Sequence, residues 1–583
     1  MKKSENIILH KLNSLVRQNI QNASMSNDFL CHEIGLSRSQ LHRILKQETQ
    51  LSLSHYIRRQ RLDKAKDLLV NTRLRISEIA DAVGINSHQN FTTYFKAAFQ
   101  LNPTEYRMQK AQKKSTTLNL RENTIAVLPF VNFSNDIEQE YFSDGITEEI
   151  INVLSQVPAL KVVGRTSSFA FKNKNDDLKS IGESLGVSYI LEGSIRKAGQ
   201  KVRITAQLIK ASDGYQLWSQ KYDCALNDIF QVQDEISAAI LEEIKDELLG
   251  GMSHKVVKRK ERDPEAYEYY LKGLYCLNEY SNSENFRRAI NFFEQALKIE
   301  PDYVACLIEI ASCHIQLWFF SQIDAAESIE KASKLIDRAY ELAPDMASIK
   351  VRDAHYRTWH TWDIQYAREL LEQALVLTPH NSEAHMHLGV VKTYMGEYES
   401  AEASLLEGIA IDPLSSILQY SYAWLMWYQN DIDRCEQIAD QLISFKPDFW
   451  GGHYFKGIAY LETHRSGEAL EYGEQSVALY PSSMTYCLVA QTHLLNANFK
   501  EALDIAAKIE AQIDQFPVSN FDLGHLFMGL GQFEKSSKYF QKGLEDREGR
   551  MLFLLPSSRR LKGIQSLPFY KPIFDYMKTV QKM

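Results

Sequence analysis

The spacing of apolar residues along the chain changes character twice. From about residue 5 to 107 they recur every three or four positions with almost no Gly or Pro between them, which predicts amphipathic helices. A polar stretch, AQKKSTTLNLREN, ends that region. Beyond it TIAVLPF, LKVVGRTS and SYILEGSIRKAGQKVRITAQLIKASDGYQLWSQKYD are rich in β-branched residues and predict strands, with helices at FSDGITEEIINVLSQV and DDLKSIGESLG between them. A last helix, FQVQDEISAAILEEIKDELL, runs into the charged segment SHKVVKRKERDPE, after which the helical period returns. The pattern predicts an all-α head over 5–110, a linker over 111–123, an α/β domain over 124–250, a helical array over 264–545 and a tail over 546–583.

The array carries a repeat. Prolines stand at 301, 344, 379, 413, 447 and 481, at intervals of 43, 35, 34, 34 and 34 residues. Twelve residues before each comes Ala289, Ala332, Ala367, Ala401, Cys435 or Ala469, and five before comes Ala296, Ala339, Ala374, Gly408, Leu442 or Ser476. Mostly small residues at fixed offsets before a helix-ending proline allow two helices to pack closely in every unit. The pattern resembles the tetratricopeptide repeat and implies an α-solenoid of seven or eight units, the best match being Ser382 to Pro413. The long first interval implies an insertion near 318–327. A solenoid of this kind implies a protein or peptide partner on its concave wall, with homodimer formation as an alternative use.

Composition narrows the functional classes. The 583 residues are 44% hydrophobic and 24% charged, which suits a folded multidomain chain. No apolar run is long enough for a membrane span, and MKKSENIILHKLNSLVRQNIQ lacks the apolar core of a secretory signal, so a cytoplasmic protein is expected. Seven cysteines without a CxxC pair predict buried thiols rather than disulfides or a zinc cage. The net charge of −8 hides an asymmetry: residues 1–115 hold 19 Lys+Arg against 9 Asp+Glu, a balance of +10, and the remaining 47 against 65 give −18. A basic head favours nucleic acid, and the acidic remainder does not.

The head contains one motif twice. FLCHEIGLSRSQLHRILKQ and ISEIADAVGINSHQNFTTYFKAAF each predict a short helix, a turn at Gly35 or Gly84, and a second helix capped by Ser37 or Ser87. With LSLSHYIRRQRLDKAKDLL between them and LNPTEYR after them, they resemble the AraC/XylS family DNA-binding domain along about 100 residues, through Tyr56, Arg61, Ala65, Leu68, Leu69, Ile79, Ala80, Gly84, Phe91, Phe95, Lys96, Pro103, Tyr106 and Arg107. The resemblance implies that the second helix of each motif enters the major groove of promoter DNA. The base readers are then Ser39, His42 and Arg43 from the first motif and His88, Gln89 and Thr93 from the second. Phosphate contacts come from Arg38, Lys46, Arg58 and Lys96. Ile85 and Thr93 depart from the family pattern.

The middle region resembles the TolB amino-terminal-like domain through IAVLPF, FSDGITEEI, LKVVGRTS, GVSYILEGSIRK, VRITAQLI and DGYQLWSQKYD. Asp144, Glu148 and Glu149 are candidate acid–base carboxylates, against the plainer expectation that they cap a helix start. Gly182 and Gly186 lack phosphate-loop spacing and predict a helix end. No GxxxxGK[ST], HExxH or GxSxG motif occurs, and neither a metal nor another cofactor is expected. The expected protein is therefore a non-enzymatic transcription regulator: an all-α double helix-turn-helix head, an α/β domain and a repeat solenoid, acting on double-stranded promoter DNA with RNA polymerase as a further partner. The alternatives are a repeat scaffold with a non-specific DNA-binding head, and an enzyme working through the α/β domain.

Overall fold

The computed structural model describes residues 12, 15–16, 19–20, 22, 25–49, 52–71, 75–85, 87–99, 101–104, 106, 124–134, 139–157, 159–174, 176–248, 262–277, 283–319, 325–511, 518–554 and 568–582. Arg107, the linker 111–123 and part of the 318–327 insertion lie outside them. The chain divides into two units, Met1–Arg121 and Glu122–Met583.

In the first unit the apolar spacing folds into α1 (Asn27–Ile34), α2 (Arg38–Thr49), α3 (Leu53–Asn71), α4 (Ile76–Ala82) and α5 (His88–Phe99). Two small cores form, and α3 belongs to both. Leu53 and Ile57 at its start pack with Leu30, Leu41 and Leu45, whereas Leu62, Ala65 and Leu69 pack with Ile79, Val83, Phe91 and Phe95.

The second unit opens with a sheet ordered β3–β1–β4–β5–β6, formed by β1 (Thr124–Val127), β3 (Lys161–Val162), β4 (Tyr189–Ala198), β5 (Lys201–Lys210) and β6 (Gln216–Ala225), with β2 (Val131–Asn132) also on β4. β1 runs parallel to β3 and β4, and β4, β5 and β6 are antiparallel. Both faces are covered, so β1 is buried at every position. Ile125 and Val127 meet Ile146 and Ile150 of α6 (Glu140–Ser155) and Ile236 of α9 (Ile229–Leu248). Ala126 and Leu128 face the other way, towards Ile181 and Leu185 of α8 (Leu178–Leu185), which follows the short α7 (Arg165–Phe169). Gly186 ends α8 at φ 70°, whereas Gly182 lies inside that helix, where a β-carbon would come within 2.5 Å of Ala211.

Eight helical pairs follow among the described residues. The first four are α10/α11 (Pro264–Cys276, Ser283–Ile299), α12/α13 (Val304–Phe319, Ala325–Leu342), α14/α15 (Ala347–Tyr356, Ile364–Leu377) and α16/α17 (Ser382–Met395, Tyr398–Ile411). The others are α18/α19 (Ser416–Gln429, Ile432–Phe445), α20/α21 (Trp450–Glu462, Ser466–Leu479), α22/α23 (Ser483–Leu495, Phe499–Ala511) and α24/α25 (Asn520–Gly529, Phe533–Glu545). Each of the six spaced prolines stands two residues beyond a second helix, where the ring prevents continuation. The small residues at the fixed offsets are buried without exception, and a β-carbon on Gly389 would meet Leu405 at 2.5 Å. After α25 come a 3-10 segment, Gly549–Leu554, and α26 (Lys571–Lys582). This tail is part of the core: Met551, Leu552, Tyr570, Phe574 and Met577 pack with Trp362, Leu388 and Tyr394.

The α/β domain is docked on the array. Tyr141 donates its hydroxyl to Glu268 of α10 at 2.5 Å, and Lys197 pairs with the same carboxylate at 3.0 Å. These partners hold Glu268 down at about 2 despite its partial burial, which acts in the opposite direction.

Candidate nucleic-acid interface

Both motifs of the head close their turns in the same way. Gly35 has φ 79° and Gly84 φ 71°, a region that costs an L side chain about 1 kcal/mol or more. The residue after each glycine donates its N–H back into the first helix, Leu36 to Cys31 and Ile85 to Ala80. Each second helix then starts on a serine. Ser37 accepts from the Gln40 N–H at 3.3 Å while the Gln40 amide oxygen accepts from the Ser37 N–H at 3.0 Å; Ser87 accepts from the Asn90 N–H at 3.2 Å. Ile85, the departure from the family pattern, is buried in the second core and keeps the apolar role of the position.

Burial sorts the faces of the second helices. On α2, Leu41, Ile44 and Leu45 are buried, leaving Ser39, His42, Arg43 and Lys46 exposed at i, i+3, i+4 and i+7, a single stripe. On α5, Phe91 and Phe95 are buried and Gln89, Thr93 and Lys96 form the matching exposed stripe. The structure thus brings the sequence candidates together within each helix. The Ser39 hydroxyl lies 3.1 Å from that of Ser37. Thr93 donates its hydroxyl to the Gln89 carbonyl at 2.9 Å, so its own helix takes the proton that a base would need. His88 opens α5, and its side chain lies outside the described ones. Asn90, which sequence reasoning passed over, is exposed beside Gln89 and offers a second carboxamide; the helical period from Phe91 was the signal that placed it there.

The cations differ in their freedom. Arg38 makes a two-pronged pair with Asp28, both bonds 2.7 Å, and a phosphate would have to compete for that fork. Arg58 lies over the Tyr94 ring at 4.0 Å, a stacking contact that ties α3 to α5. Arg61 braces the first motif by donating to the Asn22 carbonyl at 2.6 Å. Lys46 and Lys96 are exposed near the C-terminal ends of their helices.

Residues 30–109 match a family model described as a helix-turn-helix domain. The xylose operon regulatory protein of Escherichia coli strain K12 is 38% identical over 80 residues, which cover 14% of this chain and 20% of that protein. The HTH-type transcriptional activator RhaR of Mannheimia succiniciproducens is 33% identical over 105 residues, 18% of this chain and 38% of that one. A solved transcriptional regulator from Chromobacterium violaceum, described by its AraC-type DNA-binding domain, is 32% identical, covers 19% of this chain and 98% of its own, and has a TM-score of 0.18. The head is an AraC-type helix-turn-helix domain.

Following the AraC-type head in sequence, residues 121–239, which resemble the TolB amino-terminal-like domain in their motifs, match the model described as "HilA/YgeH-like transcriptional regulator, second domain". The tetratricopeptide repeat model matches 277–303, 382–413 and 518–545. A protein called putative adenylate cyclase 3 in Rhizobium meliloti is 42% identical over 182 residues, 31% of each chain. The chain spans between about a fifth and two fifths of the length of these curated relatives.

Two of the three candidate acid–base carboxylates of the α/β domain have cation partners. Asp144 pairs with Lys172 at 2.6 Å and Glu148 with Arg165 at 2.9 Å. They do not cap a helix start, since α6 begins at Glu140 and both lie a turn or more inside it; burial raises each carboxyl and its cation partly restores it. Among the described residues no group of three or more His, Cys, Asp or Glu side chains could hold a metal ion, and no helix is long and apolar enough to cross a membrane. His385 and His387 serve different neighbours: His385 meets the Pro379 carbonyl at 2.9 Å, and His387 stacks on His355.

Proposed function

We propose that the chain is a sequence-specific DNA-binding transcription regulator whose α/β and repeat regions receive a signal or a protein partner. The observation that carries this is the pair of exposed polar stripes on α2 and α5, each on a helix held by the same glycine turn and serine cap. In this reading Ser39, His42 and Arg43 read one major groove and His88, Gln89 and Thr93 the next, with Asn90 beside them. Arg43 supplies a fork for guanine, and the Gln89 carboxamide suits adenine. Lys46 and Lys96 contact phosphate directly; Arg38 does so by exchanging Asp28 for the backbone, and Arg58 from its seat on Tyr94. The domain limits adopted are 5–110, 111–123, 124–250, 264–545 and 546–583.

The match of the middle region to a regulator domain supports a non-enzymatic role, as does the pairing of Asp144 and Glu148 with cations. We place the protein in the cytoplasm, with RNA polymerase as the partner of the DNA-bound head and homodimer formation as a way to occupy longer operators. The test is competition binding by the purified full chain, with its bound genomic site against the same site scrambled. A preference of at least about a thousand-fold is expected for specific recognition. Equal affinity for both would leave a repeat scaffold with a non-specific head.

A further inference from the structure

The sequence implied a protein or peptide partner on the concave wall of the repeat array, and a segment of the chain itself lies against residues of that wall. A β-carbon on Gly549 would lie 2.6 Å from Trp359, which follows α14, and 3.0 Å from Trp318 of α12. The next residue, Arg550, pairs with Asp522 of α24 and lies over the Phe521 ring at 5.7 Å. Two adjacent residues thus touch the first-helix layer at points more than two hundred residues apart in sequence, which is possible only if that layer curls around them. Glu548 completes the seat. Its carboxylate accepts from the Asn520 N–H at 2.9 Å, the Phe521 N–H at 3.2 Å and the Ser519 hydroxyl at 2.8 Å, capping α24, while Met551 and Leu552 are fully buried behind it.

The chemistry of this seat is selective. Asp522 is 4% exposed and also accepts from the Ser483 hydroxyl at 2.6 Å; without Arg550 its charge would stay buried and unbalanced, which is strongly unfavourable. The first N–H groups of α24, which Ser519 caps only in part, likewise favour an anion. An uncharged or purely apolar peptide satisfies neither need.

We propose that the inner face of the array is a peptide-binding groove held in cis by Glu548–Leu552, and that the protein partner enters by presenting a segment of the same chemistry: a carboxylate, an arginine two residues on, then two aliphatic side chains. The inference rests on the reading of the repeats as a partner-binding region and adds the partner's chemistry and the competitor it must displace. Because the strap is tethered, it competes at an effective concentration on the order of millimolar, so a partner binds weakly unless the strap is released.

The experiment uses the full chain and a fluorescent peptide with the sequence of Glu548–Leu554, read by anisotropy. Arg550→Asp is expected to release the strap and bind the peptide at least about ten-fold more tightly than wild type does, since the tethered competitor is gone. The same peptide with glutamate in place of its arginine is expected not to bind that variant. Adding Asp522→Arg to Arg550→Asp is expected to restore the pair in reverse and return peptide binding to the wild-type level. Should Arg550→Asp not fold, wild type decides: excess peptide is expected to speed protease cleavage beyond Glu545, and unchanged cleavage would overturn the inference. Equal peptide affinity of wild type and folded Arg550→Asp, or no binding by either, would also overturn it. DNA affinity of the same samples reports separately on the regulator reading, and a defined partner that binds wild type elsewhere leaves the partner-binding reading standing without the groove.

Discussion

Ser167 donates its backbone N–H to Asp412 at 2.8 Å across 245 positions of sequence, and the Ser167 hydroxyl also donates to that carboxylate. The same hydroxyl accepts from the Leu414 N–H at 2.8 Å, and the Gly164 N–H donates to the Ile411 carbonyl at 3.1 Å. The α/β domain is therefore latched at the end of α17, in the middle of the array, as well as at α10. Burial raises the Asp412 carboxyl, and the hydrogen bonds from Ser167 oppose that.

Asp412→Ala leaves the donors of Ser167 without their acceptor in a buried contact, so it is expected to cost on the order of 1–3 kcal/mol in urea unfolding of the full chain. Gly164→Ala is expected to cost a similar amount, because its β-carbon would fall 2.4 Å from the Asp412 carboxyl carbon. Losses below about 0.5 kcal/mol in both, the range of ordinary surface changes, would mean that the latch is not closed in solution.

Buried histidines give the second unit a pH dependence of definite sign. Burial pushes His360 to about 3, His314 to about 4 and His355 well below its usual value. The unfolded chain takes up these protons near 6.5 while the folded chain does not, so stability is complete above about pH 6.5 and falls as pH drops, by about 1.4 kcal/mol per unit for each group. Glu309, raised to about 6 by burial, acts in the opposite direction. The comparison with His360→Asn isolates one group: the variant is expected to lose about 1 kcal/mol less than wild type between about pH 6.5 and 5.5, measured by urea midpoints. Parallel curves would refute this.

In the proposed reading Arg43→Ala is expected to cost on the order of 1–3 kcal/mol at the specific site and to relax one base position, because it would remove a bidentate base contact. Lys46→Ala is expected to weaken all sequences alike and to reduce the salt slope by about one. Titration of matched and scrambled duplexes at several salt concentrations separates them; equal behaviour of the two variants would move the reading face off α2.

Gly84→Ala forces a β-carbon into the left-handed region and is expected to cost about 1–2 kcal/mol in the stability of the isolated head, with a loss of DNA affinity through α5 rather than α2. Thermal unfolding with footprinting of the two half-sites measures both. Unchanged protection over the α5 half-site would show that the turn does not set that helix.

The family pattern of the head was legible because it is mostly core: Ala65, Leu69, Ile79, Ala80, Phe91 and Phe95 are all buried. Packing fixes such positions, so they recur and can be read. The exposed candidate readers are bound by no such rule, and the loss of the Thr93 proton to the Gln89 carbonyl depends on a rotamer that spacing does not encode. The repeat was legible for the same reason as the core, through its small residues and prolines. The strap at Glu548–Leu552 was not, because EGRML has no period and its meaning lies in Asp522 and the tryptophans it meets. The reading of Asp144, Glu148 and Glu149 as caps failed because α6 starts at Glu140, two residues before FSDGITEEIINVLSQV, so that all three lie a turn or more inside the helix.

Both reading motifs grow from one helix. α3 has 19 residues and so spans about 28 Å, somewhat less than the roughly 34 Å of one turn of duplex. Its first half is packed into one motif and its second half into the other, which leaves no hinge between them. The head is thus a ruler of fixed length. In the proposed reading it demands two short sequence blocks on one side of the helix, with a gap it cannot stretch. Adding half a turn of spacer between those blocks would put the second on the far side of the duplex, where no rotation of a side chain can reach it.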